Sequence, residues 1–204
     1  MNYGHLDRQL AQFSDQLVAR ASLNTEEARK VGTSIAAETR FLEPNARSSI
    51  FAASPVPLQE RINELSALQT FMKTAARIQN DPSVTRAHVV VQNYISFVYL
   101  GEVCFRALLK ASQPGSVTRR CCKFLTDNPA RAFRNALAHV SWTYKPDFRG
   151  LVFWSRKGSD PNEALTRFEV SQSELDFWQM LSKTVGYAAY TSIQAAESDM
   201  SNRS

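Results

Sequence analysis

Glycine is scarce in this chain, seven residues in 204, and none of them builds a G-x-G-x-x-G or Walker-type loop. A backbone cradle for a nucleotide phosphate is therefore not expected. Cysteine is scarcer still. Cys104, Cys121 and Cys122 are odd in number, two are adjacent, and neither a C-x-x-C pair nor a nearby histidine completes a zinc set. The expectation is a reducing, cytoplasmic setting with no metal and no cofactor. Long apolar runs are missing as well. The most apolar stretch, Val89–Phe105, is interrupted by Gln92, Asn93 and Glu102, and the start Met1–Asp7 has no basic region followed by an apolar block. Neither a signal peptide nor a membrane span is expected.

What the chain does have is 44% hydrophobic residues, enough for a proper core, and a formal charge of +5. A modest basic surplus is compatible with a polyanionic partner such as RNA without requiring one. The periodicity is helical almost throughout. Leu6, Leu10, Phe13 and Leu17 recur at spacings of 4, 3 and 4, which predicts an amphipathic helix ending near Ser22. Asn24 and Glu27 form a capping-box pattern for a second helix, with Ala28, Val31, Ile35, Thr39 and Leu42 as its buried stripe and Glu43-Pro44 as its end. Pro44, Pro55 and Pro57 make 43–57 a linker, so residues 1–57 read as an N-terminal hairpin and linker, and 58–197 as a helical bundle.

A third helix is expected from Leu58 through Ile62, Leu65, Met72 and Ala76 to the stop at Asn80-Asp81-Pro82-Ser83. From about Val84 to Ala111, Val90, Tyr94, Phe97, Val98, Gly101, Phe105 and Leu108 outline the central core helix. His88 reads as a surface residue. Glu102 sits on the edge of that face, where it reaches solvent or Arg106, its i+4 neighbour, or pairs with Arg134 and fixes that guanidinium. After the loop Gln113-Pro114-Gly115-Ser116, the cations Arg119, Arg120, Lys123 and Arg131 make a basic segment that could hold phosphates, although such runs are usually solvated faces.

Helical periodicity stops only between His139 and Ser171. There Leu151–Trp154 and Thr166–Val170 predict a two-stranded β-hairpin inserted before the last helix, with Trp142 and Tyr144 as packing residues or RNA contacts. Ser171 and Glu174 then cap a long helix carrying Leu175, Trp178, Leu181, Val185, Ala188 and Ser192, and 198–204 reads as a frayed tail.

The one stretch with a pronounced chemical character is Asn128–Trp142. Asn128 suits an N-cap and Pro129 the first helical position. At about 100° per residue, Arg134, Asn135 and His139 share one polar arc, while Phe133, Ala136, Leu137 and Val140 form the apolar stripe behind it. A solvated helix face would look similar. The filled pattern R-N-x-x-x-H, however, resembles the HEPN superfamily, all-helical domains marked by an Arg, a polar residue, and a His four to six residues after the Arg. The resemblance covers about residues 85–197, with Arg134, Asn135 and His139 matching position by position.

That resemblance implies an all-α, HEPN-like bundle and a metal-independent endoribonuclease acting as a toxin or antiviral effector. It also implies a homodimer in which two such helices line one cleft, and in some members an antitoxin or regulatory partner. Some antitoxins modify a tyrosine two residues after the histidine. Here that position is Ser141, which argues against that pairing. The chemistry suits the residues: histidine exchanges protons near neutrality, and arginine keeps its charge and offers a planar fork to phosphate oxygens. The alternatives are a non-catalytic HEPN-like module for RNA binding or dimerisation, and a helical regulator without an RNA role. The last requires Arg134 to find a structural carboxylate such as Glu102 and leave no open groove.

Overall fold

A computed structural model describes residues 4–51, 58–74, 91–147, 149–156 and 162–201. It is predominantly helical with one small sheet. The helices are α1 (Gly4–Ala21), α2 (Thr25–Arg29), α3 (Val31–Arg40), α4 (Pro44–Phe51), α5 (Leu58–Thr74), α6 (91–111), α7 (Val117–Thr126), α8 (Ala130–Ala138) and α9 (Gln172–Ser201). Strands β1 (Trp142–Tyr144), β2 (Gly150–Ser155) and β3 (Thr166–Ser171) form an antiparallel meander in the order β1-β2-β3. The expected hairpin thus gains a third strand: Trp142 pairs with Phe153 and Tyr144 with Leu151. A run of only three residues is too short for an alternation pattern to mark it in sequence.

The N-terminal hairpin packs into the main core. Phe13, Leu17, Val31 and Ile35 belong to the same buried cluster as Phe105, Phe133, Trp178 and Val185, and α3 packs along α9. All five stripe residues from Ala28 to Leu42 are buried, and the Asn24–Glu27 capping box forms in both directions. The helix they were expected to share is broken at Lys30, which separates α2 from α3. Leu10, expected inside, is exposed. The proline-containing linker folds into α4, whose Ile50 is fully buried; residues 52–57 lie outside the described set. The tail expected to fray continues as helix through Ser201, and Asp199 pairs with Arg40 at 2.7 Å.

The central helix α6 departs from α-helical winding. Tyr94–Tyr99 and Gly101–Phe105 are π-helical, with Leu100 N–H donating to the Ile95 carbonyl and Arg106 N–H to that of Gly101. A wider i→i+5 turn rotates the buried face away from the α-periodic one. Tyr94 consequently turns out to solvent, while Ile95, Phe97, Leu100, Cys104, Phe105 and Leu108 line the core. Val90, His88 and the stop at Asn80–Ser83 lie outside the described residues. All three cysteines are buried thiols, and burial raises the pKa of each, Cys104 and Cys121 to about 12.

Two glycines are required where they stand. Gly115, at φ +78°, follows Pro114 in the turn closed by Ser116 N–H donating to Gln113, the combination a type II turn demands. At Gly150 an added Cβ would lie 2.2 Å from the Val170 carbonyl oxygen on the neighbouring strand. Helix α9 starts with Ser171 accepting from Glu174 N–H at 3.2 Å, but only half of the expected box forms, because the Glu174 carboxylate pairs with Arg20 at 2.9 Å.

Candidate active site

The arc sits on α8, and aromatic packing fixes that helix. Phe133, fully buried, lies 5.6 Å from Phe97 on α6, 5.9 Å from Trp178 on α9 and 5.2 Å from Phe153 on β2, ring centroid to centroid. With Ala136 and Leu137 also buried, the opposite face of α8 must carry its polar side chains outward. The start of α8 differs from expectation by one residue. Pro129, after a cis peptide bond, occupies the cap position and Asn128 makes no side-chain cap. Asp127 takes over: its N–H closes α7 on Lys123, and its carbonyl accepts from Arg131 N–H at 2.9 Å, so α7 and α8 abut.

The far end of α8 is a Schellman turn. Val140 N–H donates to Leu137 at 3.3 Å and Ser141 N–H to Ala136 at 2.8 Å, with Val140 at φ +56° in the left-handed region. Glycine is usual there, and a β-branched side chain in that conformation is a strained exception. Val140 was expected in the apolar stripe, but the turn lifts it out to 76% exposure. His139, the residue before it, caps the helix and is exposed, and no described residue hydrogen-bonds its ring. The Ser141 carbonyl accepts from Trp154 N–H at 2.9 Å, which ties this turn to the sheet.

Arg134 is held from two sides. Its Nε and Nη2 donate to Asn135 Oδ1 at 3.1 and 2.7 Å, and its Nη1 pairs with Glu102 Oε1. The other oxygen of Glu102 accepts from Arg106 at 2.6 Å. Glu102 therefore bridges both arginines considered for it. Partial burial lowers the Arg134 pKa from its ordinary value. Because the Arg134–Glu102 pair remains partly exposed, its contribution to stability is about 0.2–1 kcal/mol, and its main effect is to orient the guanidinium.

Beside Arg134 opens a cleft of about 660 Å³ between α6, the end of α7 and the start of α8. Arg106, Lys110, Arg131 and Arg134 line it together with the carboxylates of Glu102 and Asp127. The side chains of Lys110 and Arg131 are exposed and have no ion-pair or hydrogen-bond partner among the described residues.

The expected phosphate-binding set is redistributed. Arg119 donates to the Leu109 and Ser112 carbonyls at 2.8 and 2.9 Å, closing the end of α6. Arg120 donates to the Ser22 carbonyl at 2.6 Å and pairs with Glu27, whose carboxyl that arginine, together with the Asn24 N–H, holds below its ordinary pKa. Lys123 is exposed and pairs with Asp127 at 2.8 Å. Of the four, Arg131 alone lines the cleft. Lys110 was missed and Arg106 was considered only as a partner of Glu102, although Glu102, Arg106 and Lys110 recur every fourth residue. Trp142 is buried against Tyr144 and belongs to the core.

No family model, no curated protein and no solved structure matches this chain.

Proposed function

We propose that this protein is a metal-independent endoribonuclease of HEPN type, acting as a toxin or defence effector, with Arg134, Asn135 and His139 as its catalytic set. The observation that carries this reading is the state of the arc: an arginine oriented by Asn135 and Glu102 at the mouth of a cationic cleft, with an imidazole that has no partner among the described residues at the end of the same helix. His139 removes the proton from a ribose 2′-hydroxyl, the 2′-oxygen attacks the adjacent phosphorus, and the 5′-oxygen leaves. Arg134 stabilises the negative charge that builds on the phosphorane-like transition state. The leaving oxygen needs a proton from a second group. In a symmetric dimer, with two α8 helices facing one cleft, His139 of the partner subunit supplies it.

The products are a 2′,3′-cyclic phosphate and a 5′-hydroxyl. The test is incubation of purified protein with mixed RNA in EDTA followed by end-group analysis, and those two ends are the expected result. Adding excess His139→Ala protein under exchange conditions should lower cleavage more than simple dilution does. Strict proportionality to wild-type protomers would reject the shared site.

One observation favours a second reading, a non-catalytic HEPN-like RNA-binding or dimerisation module: three of the Arg134 nitrogens already have protein partners. RNA binding without cyclic-phosphate ends in the same assay would decide for it.

A further inference from the structure

The cleft beside Arg134 differs chemically from the rest of the basic surface. Arg119 and Arg120 are bound to carbonyls and a carboxylate of the protein itself, and Lys123 to Asp127. Arg106 and Arg134 share Glu102. Lys110 and Arg131 are left as the two cations of the cleft without a described partner, one from each wall. The rest of the lining is mixed: Phe97, Val103, Leu109 and Leu125 contribute apolar surface, and Glu102, Thr126 and Asp127 contribute polar groups. A volume of about 660 Å³ falls in the range of small-ligand sites and is far too confined for a duplex.

Position on the helices gives the cleft a direction. Arg131 lies one turn before Arg134 on α8, about 4.5 Å along the axis and on the side away from His139. Lys110 lies eight residues beyond Glu102 on α6, toward the C-terminal end of that helix. Arg131, Lys110 and Arg134 thus line one and the same cleft.

From this arrangement we infer that the cleft is a one-nucleotide subsite for single-stranded RNA: Lys110 and Arg131 hold the phosphate next to the one at Arg134, and the base lies on the apolar lining between α6 and α8. The inference rests on the preceding reading that RNA runs along α8, and it adds the residues that hold the neighbouring nucleotide. A base enters such a cleft only when unpaired, since drawing it from a duplex costs a few kcal/mol of pairing and stacking.

The test is a salt titration of binding, using full-length protein, a labelled unstructured RNA oligonucleotide, and the same strand annealed to its complement. Wild type should bind the single strand at least tenfold more tightly than the duplex. The variant Lys110→Gln/Arg131→Gln should bind it about tenfold more weakly and flatten the salt slope by about 0.7, the value for one phosphate no longer neutralised on a single strand. Both replaced side chains are exposed, so the melting temperature should hold, and it is checked on each sample. Undiminished binding by the variant, or equal affinity for duplex, overturns the subsite. Cleavage is scored in the same samples. Cleavage by wild type with an unaffected double variant removes the subsite and keeps the ribonuclease; variant-sensitive binding without cleavage keeps the subsite and removes the ribonuclease. Absence of any RNA binding removes both.

Discussion

Two cationic regions lie close together in this molecule, and their fates are opposite. At the seam between the N-terminal hairpin and α7, charge is used for cohesion. Glu38 accepts from the Val117 and Thr118 N–H groups at 3.3 and 3.0 Å, Arg120 reaches across to Ser22 and Glu27, and Arg119 closes α6. In the cleft between α6 and α8, Lys110 and Arg131 face open space with no described partner. A cation's function depends less on how many others stand near it in sequence than on whether the fold brings a carbonyl or carboxylate within its reach.

Substitutions sharpen this contrast. His139→Ala should have the largest effect on the reaction, lowering cleavage at least about 100-fold while leaving the melting temperature unchanged, because a proton-transfer group is lost from an exposed position. Cleavage that survives would place the chemistry elsewhere. At the seam the order of effects reverses. Arg119→Ala should cost about 1–3 kcal/mol of stability by stripping the partly buried Leu109 and Ser112 carbonyls of their donor, and Arg120→Ala less, because its Ser22 carbonyl is exposed, while the salt slope of RNA binding stays as in wild type for both. A flattened slope with unchanged melting would mean that these arginines face RNA after all. Smallest is Lys123→Gln, which removes an exposed i,i+4 pair with Asp127 and should change stability by less than about 0.5 kcal/mol in chemical denaturation. A larger loss would show that the junction of α7 and α8 depends on this pair.

Much of this layout was legible in the chain, and the misses share a cause. The capping box at Asn24, the stripe from Ala28 to Leu42, the arc of α8 and the interruption of helical periodicity after His139 all depend on residues close in sequence, so local patterns carry them. Tyr94 was assigned to the core because α-helical periodicity was assumed, and no local pattern announces the change to π winding in α6. Val140 was placed in the stripe because its spacing is right, yet the Schellman turn ends α8 before that residue. Arg119 and Arg120 read as surface cations because their acceptors Leu109, Ser112, Ser22 and Glu27 are set by tertiary packing. Lys110 escaped because its neighbour Arg131 lies on another helix, 21 positions along the chain.

The buried cysteines give the molecule a built-in clock for its own opening. Thiol reagents attack the thiolate, and Cys104, Cys121 and Cys122 are all buried in the folded chain, so the rate of labelling records how often the core is exposed. The same burial sets an alkaline limit. Folding raises the Cys104 and Cys121 pKa from the ordinary 9.0 to about 12, so the folded state keeps protons that the unfolded chain gives up. Stability is therefore intact below about pH 9 and falls as the pH rises from there toward 12, and the clock runs faster as it does.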